Sequence, residues 1–364
     1  LTYITIPLLI LGLILLISGA EALIRGASQL AAALGISPLI IGLTVVAYGT
    51  SAPELVIGIV SNLIGQTDVA IGNIVGSNIF NILLVLGLSA LIMPLTVSPQ
   101  VIRLDVPIMI LASILMLIAS LDGVINRIEG TILVSGVILY TVFLIDQSRH
   151  ETQDVKKEYT KEYSTTASAT SSLTWVLNLA LLGGGFGLLV IGSNLLVTNA
   201  VTIAEFMGIS ELVIGLTIVA AGTSLPEVAT SIVASLKGER DIAIGNIIGS
   251  SIFNILAVLG VTSIVANGIP ISGQTLHFDI PVMIAATVSC LPIFFTGNVV
   301  SRWEGALLFS YYIAYMVYLF LLSSKSIELP IFSSVVLGVI IPLTILVLSL
   351  SMIRAIRKQV YNME

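Results

Sequence analysis

The sequence predicts an all-α integral membrane protein, built as an inverted-topology repeat of five plus five transmembrane helices with an additional C-terminal helix, about eleven spans in all. Three observations carry this. The 364 residues are 57% hydrophobic and 9% charged, with a mean hydropathy of +1.12, beyond what a soluble domain of this size shows. Apolar windows of the roughly 20 residues that a bilayer core demands recur from end to end. The chain also contains itself twice, at an offset of 173 residues.

Helices follow because lipid offers no partner for backbone polar groups, and the apolar runs lack the alternation of a barrel strand. The windows and their polar breaks place helices near 2–20, 37–64, 69–95, 104–121, 127–146, 173–199, 211–236, 241–266, 279–297, 303–323 and 329–353. The first window has no basic leading segment and is long for a signal peptide, so it reads as a helix of the mature protein.

An odd number of spans puts the termini on opposite sides, and the basic residues orient them. With the N-terminus outside, twelve of the 14 Lys and Arg residues, among them Arg25, Arg103, Lys237 and Arg302, fall in cytoplasmic segments. Only Arg127 and Lys325 fall outside, a strong positive-inside bias. The expected location is therefore a plasma or inner membrane, with the central linker and C-terminus cytoplasmic. The net charge of −6 implies no nucleic-acid partner.

The organisation divides into a first repeat (1–146), a polar linker (147–172), a second repeat (173–323) and an extra helix with a basic tail (324–364). The linker is charged and then Ser/Thr-rich, as solvated connectors are. Between the repeats, GLTVVAYGTSAPEL (42–55) and GLTIVAAGTSLPEV (215–228) agree at 10 of 14 positions. DVAIGNIVGSNIFNILLVLG (68–87) and DIAIGNIIGSSIFNILAVLG (241–260) agree at 16 of 20. Five helices per copy make the second copy enter the membrane from the opposite side, the architecture of secondary transporters with a site at the repeat interface.

Glu54 and Glu227 pose the chemical question. An ionised carboxylate at the bilayer centre costs on the order of 3 kcal/mol, and no Lys or Arg lies in the surrounding helices. Protonation or a bound cation remains. Pro53 and Pro226 lack an N–H and clash with the carbonyls of Gly49 and Gly222, so each helix must break there. Carbonyls near Thr50 and Thr223 are then freed inward, and the hydroxyls of Thr50, Ser51, Thr223 and Ser224 add neutral oxygens. On the following helices, Asn73, Ser77 and Asn81 share a face, as do Asn246, Ser250 and Asn254. Ser77, Asn81, Ser250 and Asn254 read as ion ligands; Asn73, Asn78 and Asn246 read as interhelical glue. Gly72 with Gly76, and Gly245 with Gly249, form small-residue pairs that admit a close helix neighbour. An all-oxygen donor set suits hard cations such as Ca²⁺ and Na⁺ rather than zinc or copper.

These motifs, GTSAPE with GNIVGSNIFN and GTSLPE with GNIIGSSIFN, resemble the two α-repeats of the sodium/calcium exchangers in the cation/calcium antiporter superfamily. The resemblance covers roughly residues 1–323. It implies a ten-helix core, with Glu54, Glu227 and the Thr50 and Thr223 carbonyls holding Ca²⁺. It further implies flanking Na⁺ sites completed by Ser51, Ser77, Ser224 and Ser250, with Asn81 and Asn254 at the centre, and alternating access by sliding of the first and sixth helices. Asn254 stands where some potassium-dependent relatives carry an acid, which argues against K⁺ co-transport. The expected activity is Na⁺/Ca²⁺ antiport, with transported Ca²⁺ and Na⁺ and membrane lipid as partners, no cofactor, and a monomer or loose oligomer. A proton- or potassium-coupled Ca²⁺ antiporter of the same fold is the alternative. A channel fits an inverted repeat less well, and an intramembrane hydrolase lacks a base to activate its serines.

The remaining polar residues read plainly. Cys290 is a lone apolar packing residue, and His150 and His277 lack metal-ligand spacing. Asp122, Arg127, Glu129, Asp279, Arg302 and Glu304 lie near helix ends, where snorkelling or local pairing is expected.

Overall fold

The computed structural model describes residues 4–150, 172–207 and 220–361. Its helices are α1 (Thr5–Leu34), α2 (Pro38–Leu63), α3 (Thr67–Ile92), α4 (Val101–Ala119), α5 (Arg127–Ser148), α6 (Trp175–Phe206), α7 (Leu225–Leu236), α8 (Arg240–Val265), α9 (Thr275–Phe295), α10 (Arg302–Ser323) and α11 (Leu329–Ile353). All except α7 are long and apolar enough to cross a bilayer. The span expected at 211–236 ends as α7, and its first part, up to residue 219, lies outside the described residues, as does 151–171 of the expected linker. Helix continues from α5 through His150.

The first helix is the main departure from the expected spans. It runs to Leu34 rather than ending near residue 20, so Arg25 lies within a helix and not in a loop. The polar break at Glu21 and Arg25 is neutralised within the helix itself. These residues stand one turn apart and pair at 2.5 Å, and Glu21 also accepts from Lys237 Nζ at 2.8 Å. The sixth helix likewise continues past residue 199 to Phe206.

α1 and α6 are held against each other by glycines seven residues apart. A Cβ on Gly12 would lie 2.8 Å from Leu196 N and 2.9 Å from Gly192 O; one on Gly19 would lie 2.8 Å from Leu189 N and 2.9 Å from Gly185 O. Backbones that close leave no room for side chains at the crossing. Gly12 and Gly185, and likewise Gly19 and Gly192, are equivalent under the 173-residue offset, so the pair straddles the pseudo-two-fold axis that relates the repeats.

The other helices interleave the two copies. α3 of the first packs on α10 of the second, where a Cβ on Gly87 would meet Gly305 O at 3.0 Å. α5 packs on α8 in the equivalent way, Gly260 facing Gly130 O at 2.9 Å. Arg302 Nη2 donates to Ile92 O (3.3 Å) at the C-terminal end of α3, and Arg127 Nε donates to Ile264 O (3.0 Å) at the end of α8, where a cation complements the helix dipole. Short antiparallel pairings tie the loops across the copies. β1 (Leu95–Thr96) pairs with β4 (Val299–Val300), and β2 (Val124–Ile125) pairs with β3 (Ile269–Pro270). In an inverted repeat, the loop after the third helix of one copy and the loop after the fourth helix of the other emerge on the same face, as both pairings require. One apolar cluster runs through both copies, with Ile82 and Val85 joined to Ile255 and Val258, and a second gathers α1 and α6 with Ile41 and Ile242. α11 lies at the periphery and reaches the bundle through Tyr311 Oη, which donates to Thr344 Oγ1 at 2.7 Å.

Candidate ion-binding site

The two expected helix breaks are present. α2 is interrupted at Ser51 (φ −84°, ψ 5°), between Ala47–Thr50 and Ala52–Leu63. In the second copy the turn falls at Ser224 (φ −93°, ψ 9°), between Ala220–Gly222 and Leu225–Leu236. Pro53 and Pro226 occupy the first turn of the half-helix that follows, where no backbone donor is required. Glu54 and Glu227 lie in that same turn, at the end carrying partial positive charge. Thr50 closes the preceding half-helix, whose carbonyl end favours a cation.

The glutamates are fully buried, and each is held by the serine at the break of the other repeat. Ser224 Oγ donates to Glu54 Oε1 at 3.0 Å, and Ser51 Oγ donates to Glu227 Oε1 at 3.1 Å. These crossed bonds bind the two half-helices into one polar cluster. Ser224 Oγ also reaches Ser77 Oγ at 3.1 Å, and Thr50 Oγ1 lies 3.4 Å from Ser250 Oγ. Thr223 is half-buried and donates to Asn73 Oδ1 at 3.3 Å.

α3 and α8 both widen to i→i+5 turns beside the cluster, over Phe80–Leu86 and Asn254–Leu259. Such turns recur at functional sites because they re-aim a side chain without ending the helix. Asn81 and Asn254 sit in them, fully buried, and neither amide oxygen nor amide nitrogen has a protein partner; Glu54 Oε2 and Glu227 Oε2 have none either. Buried polar atoms in native proteins are almost always satisfied. Orphaned oxygens of this kind are ones that an oxygen-seeking cation or a water can satisfy. Among the described residues no trio of His, Cys, Asp and Glu forms a metal cluster. The polar atoms gathered here are two carboxylates with neutral oxygens, a set whose charge one divalent cation or two monovalent ones could match.

Of the asparagines read as glue, Asn73 and Asn246 do connect helices. Asn73 Nδ2 donates to the Glu54 carbonyl at 3.2 Å; Asn246 Nδ2 donates to Ser231 Oγ at 3.0 Å and its Oδ1 accepts from Thr50 Oγ1 at 3.1 Å. Asn78 instead turns back onto Ile74 O of its own helix. At the helix ends, Glu304 closes a capping box with Ser301 and Glu129 accepts from Asn126 N.

Sequence reasoning passed over Asp105 and read Asp279 only as a helix-end acid, so it missed that the two form a symmetric pair. Asp105 is fully buried and accepts from Tyr140 Oη at 2.9 Å; Asp279 is half-buried and accepts from Tyr315 Oη at 3.1 Å. Both aspartates precede a Val-Pro or Ile-Pro step at the point where a wide turn becomes α-helix. The recurring Asp-x-Pro was the available signal.

A two-repeat helical bundle with acidic broken helices facing each other at its centre defines a membrane transporter for cations, not an enzyme. The sequence profile of the sodium/calcium exchanger protein family matches residues 4–145 and 177–321. CaxA of Alkalimonas amylolytica is 42% identical over 85% of this chain and 97% of its own length. The sodium/calcium exchanger MaX1 of Methanosarcina acetivorans is 33% identical over 86% of this chain and 97% of its own. The solved structure of the sodium-calcium exchanger NCX_Mj soaked with Na⁺ and Ca²⁺ superposes with a TM-score of 0.73 at 30% identity, covering 86% of this chain and 97% of that one. The chain belongs to the sodium/calcium exchanger family, a family of membrane cation/calcium antiporters.

Proposed function

We propose that the protein exchanges Na⁺ for Ca²⁺ by alternating access, binding both ions at the Glu54–Glu227 cluster. The observation that carries this reading is the crossed pairing of two buried carboxylates, each with one unpartnered oxygen and with no basic residue on α2, α3 or α7 or beyond the first residue of α8. Two negative charges in a lipid-enclosed core require compensating positive charge, and one Ca²⁺ or two or more Na⁺ supply it through the same oxygens. Competition for shared ligands then couples the two fluxes. Glu54, Glu227 and the carbonyls of Thr50 and Thr223 take Ca²⁺. Ser51, Ser77, Ser224 and Ser250 complete flanking Na⁺ positions, and Asn81 and Asn254 supply neutral donors between them. MaX1 and NCX_Mj, both named sodium/calcium exchangers, support sodium as the coupling ion. The positive-inside bias supports an external N-terminus.

The test is ⁴⁵Ca²⁺ uptake into proteoliposomes loaded with Na⁺, against Li⁺, K⁺ and pH-gradient controls. Uptake that requires internal Na⁺ is the expected outcome. Uptake driven by a pH gradient instead overturns sodium coupling and assigns the same cluster to proton exchange.

A further inference from the structure

The α1/α6 pair meets the two helix breaks unequally, in a way that a single hydroxyl records. In a symmetric arrangement, any contact of α6 with the break in α2 would be matched by a contact of α1 with the break before α7. Gly49 packs against the ring of Phe186 on α6, with a built Cβ only 1.8 Å from it. The 173-residue offset maps Phe186 to Leu13, yet among the described residues a Cβ built on Gly222 would meet Val197, again on α6, at 2.7 Å. One helix thus touches both breaks.

At the second break the contact is also polar. Pro226 cannot supply the N–H that a helix would deliver to the carbonyl four residues back, which is Gly222 O. A buried carbonyl needs a donor, and Ser193 Oγ of α6 donates to it at 2.6 Å, the serine itself being buried. The residue equivalent to Ser193 on α1 is Ala20, which has no hydroxyl to offer Gly49.

We propose that Ser193 is a positioning residue that selects the access state seen here by latching α6 to the carbonyl freed at the second ion-site break. This rests on the alternating-access reading above. Exchanging the roles of the repeats generates the opposite state, in which Leu13 moves against Gly222, Ile24 and Ala20 move against Gly49, and the Ser193 hydrogen bond is lost. The latch therefore exists in one state only. Its mirror image is absent because position 20 is alanine, so the two access states are inequivalent although the ion-site motifs are nearly identical.

Paired spin labels at Glu205 on α6 and Asp122 in the α4–α5 loop, in a Cys290→Ala background, read the two populations as two distances. Ser193→Ala should lower the ratio of the present state to the swapped state about fivefold, the equivalent of ~1 kcal/mol for one net hydrogen bond. Ala20→Ser installs the mirror donor and should shift the ratio the same way by a similar factor. The double variant should reach roughly 25-fold if the sites are independent. Distance distributions unchanged by Ser193→Ala, or an Ala20→Ser shift toward the present state, overturn the latch. Failure of the exchange reading appears elsewhere, as wild-type vesicles that take up no Ca²⁺ against Na⁺ while the populations still respond to these substitutions.

Discussion

α3 and α8 carry nearly the same words, GNIVGSNIFN and GNIIGSSIFN, in different surroundings. On α8, Gly245 and Gly249 lie directly against the first half of α2, where a Cβ would sit 2.8 Å from Leu39 O and 2.6 Å from Leu43 O. On α3, Gly72 is exposed and Gly76 half-buried, while the stretch equivalent to that half of α2, 211–219, lies outside the described residues. Asn246 is fully buried, whereas its counterpart Asn73 is half-exposed. Nearly the same words are thus buried to different degrees, Gly245 and Asn246 being enclosed where Gly72 and Asn73 are not.

The largest effect should ignore that asymmetry. Glu54→Gln and Glu227→Gln each remove half the charge of the shared cluster, so both should weaken Ca²⁺ binding by roughly 100-fold or more, since ligand charge count sets Ca²⁺ affinity. Calorimetry on purified protein checks it, and near-wild-type affinity in either variant breaks the single-cluster reading. Gly249→Ala sharpens the comparison, because a methyl group pressed onto a backbone carbonyl should destabilise by about 3 kcal/mol. Gly72→Ala, at an exposed position on α3, should cost less, and melting curves in detergent separate the two. Tyr140→Phe strips the buried Asp105 of its donor and should cost about 2 kcal/mol; Tyr315→Phe at half-buried Asp279 should cost less, by the same measurement. Arg127→Ala and Arg302→Ala remove exposed helix-end contacts and should each shift stability by about 0.5 kcal/mol. A large gap between those two would show that the interleaving is itself unequal.

The broken helices and the acids within them were legible because their causes are local. Pro53 and Pro226 dictate the breaks from the residue type alone, and a carboxylate in an apolar run announces itself by its cost. What escaped depends on partners far along the chain. Tyr140 lies 35 residues from Asp105, and Arg302 lies 210 residues from Ile92. The length of α1 escaped for a related reason, since Lys237, which helps neutralise Glu21, sits 216 residues away. The crossed serine–glutamate bonds were hidden in the same sense. The sequence places Ser51 three residues before Glu54, while the fold gives it to Glu227.

The braiding of the repeats has a consequence in time. A ribosome completes α3 long before it makes Arg302, the residue that closes the end of that helix, and 210 residues must still be added. At about 5–20 residues per second this is a wait of roughly 10–40 s. Throughout it, Gly87 and the carbonyl end at Ile92 face lipid or the insertion machinery instead of α10. The nascent first half is a client in waiting, and its acidic core is closed only when Ser224 and α8 of the second half arrive.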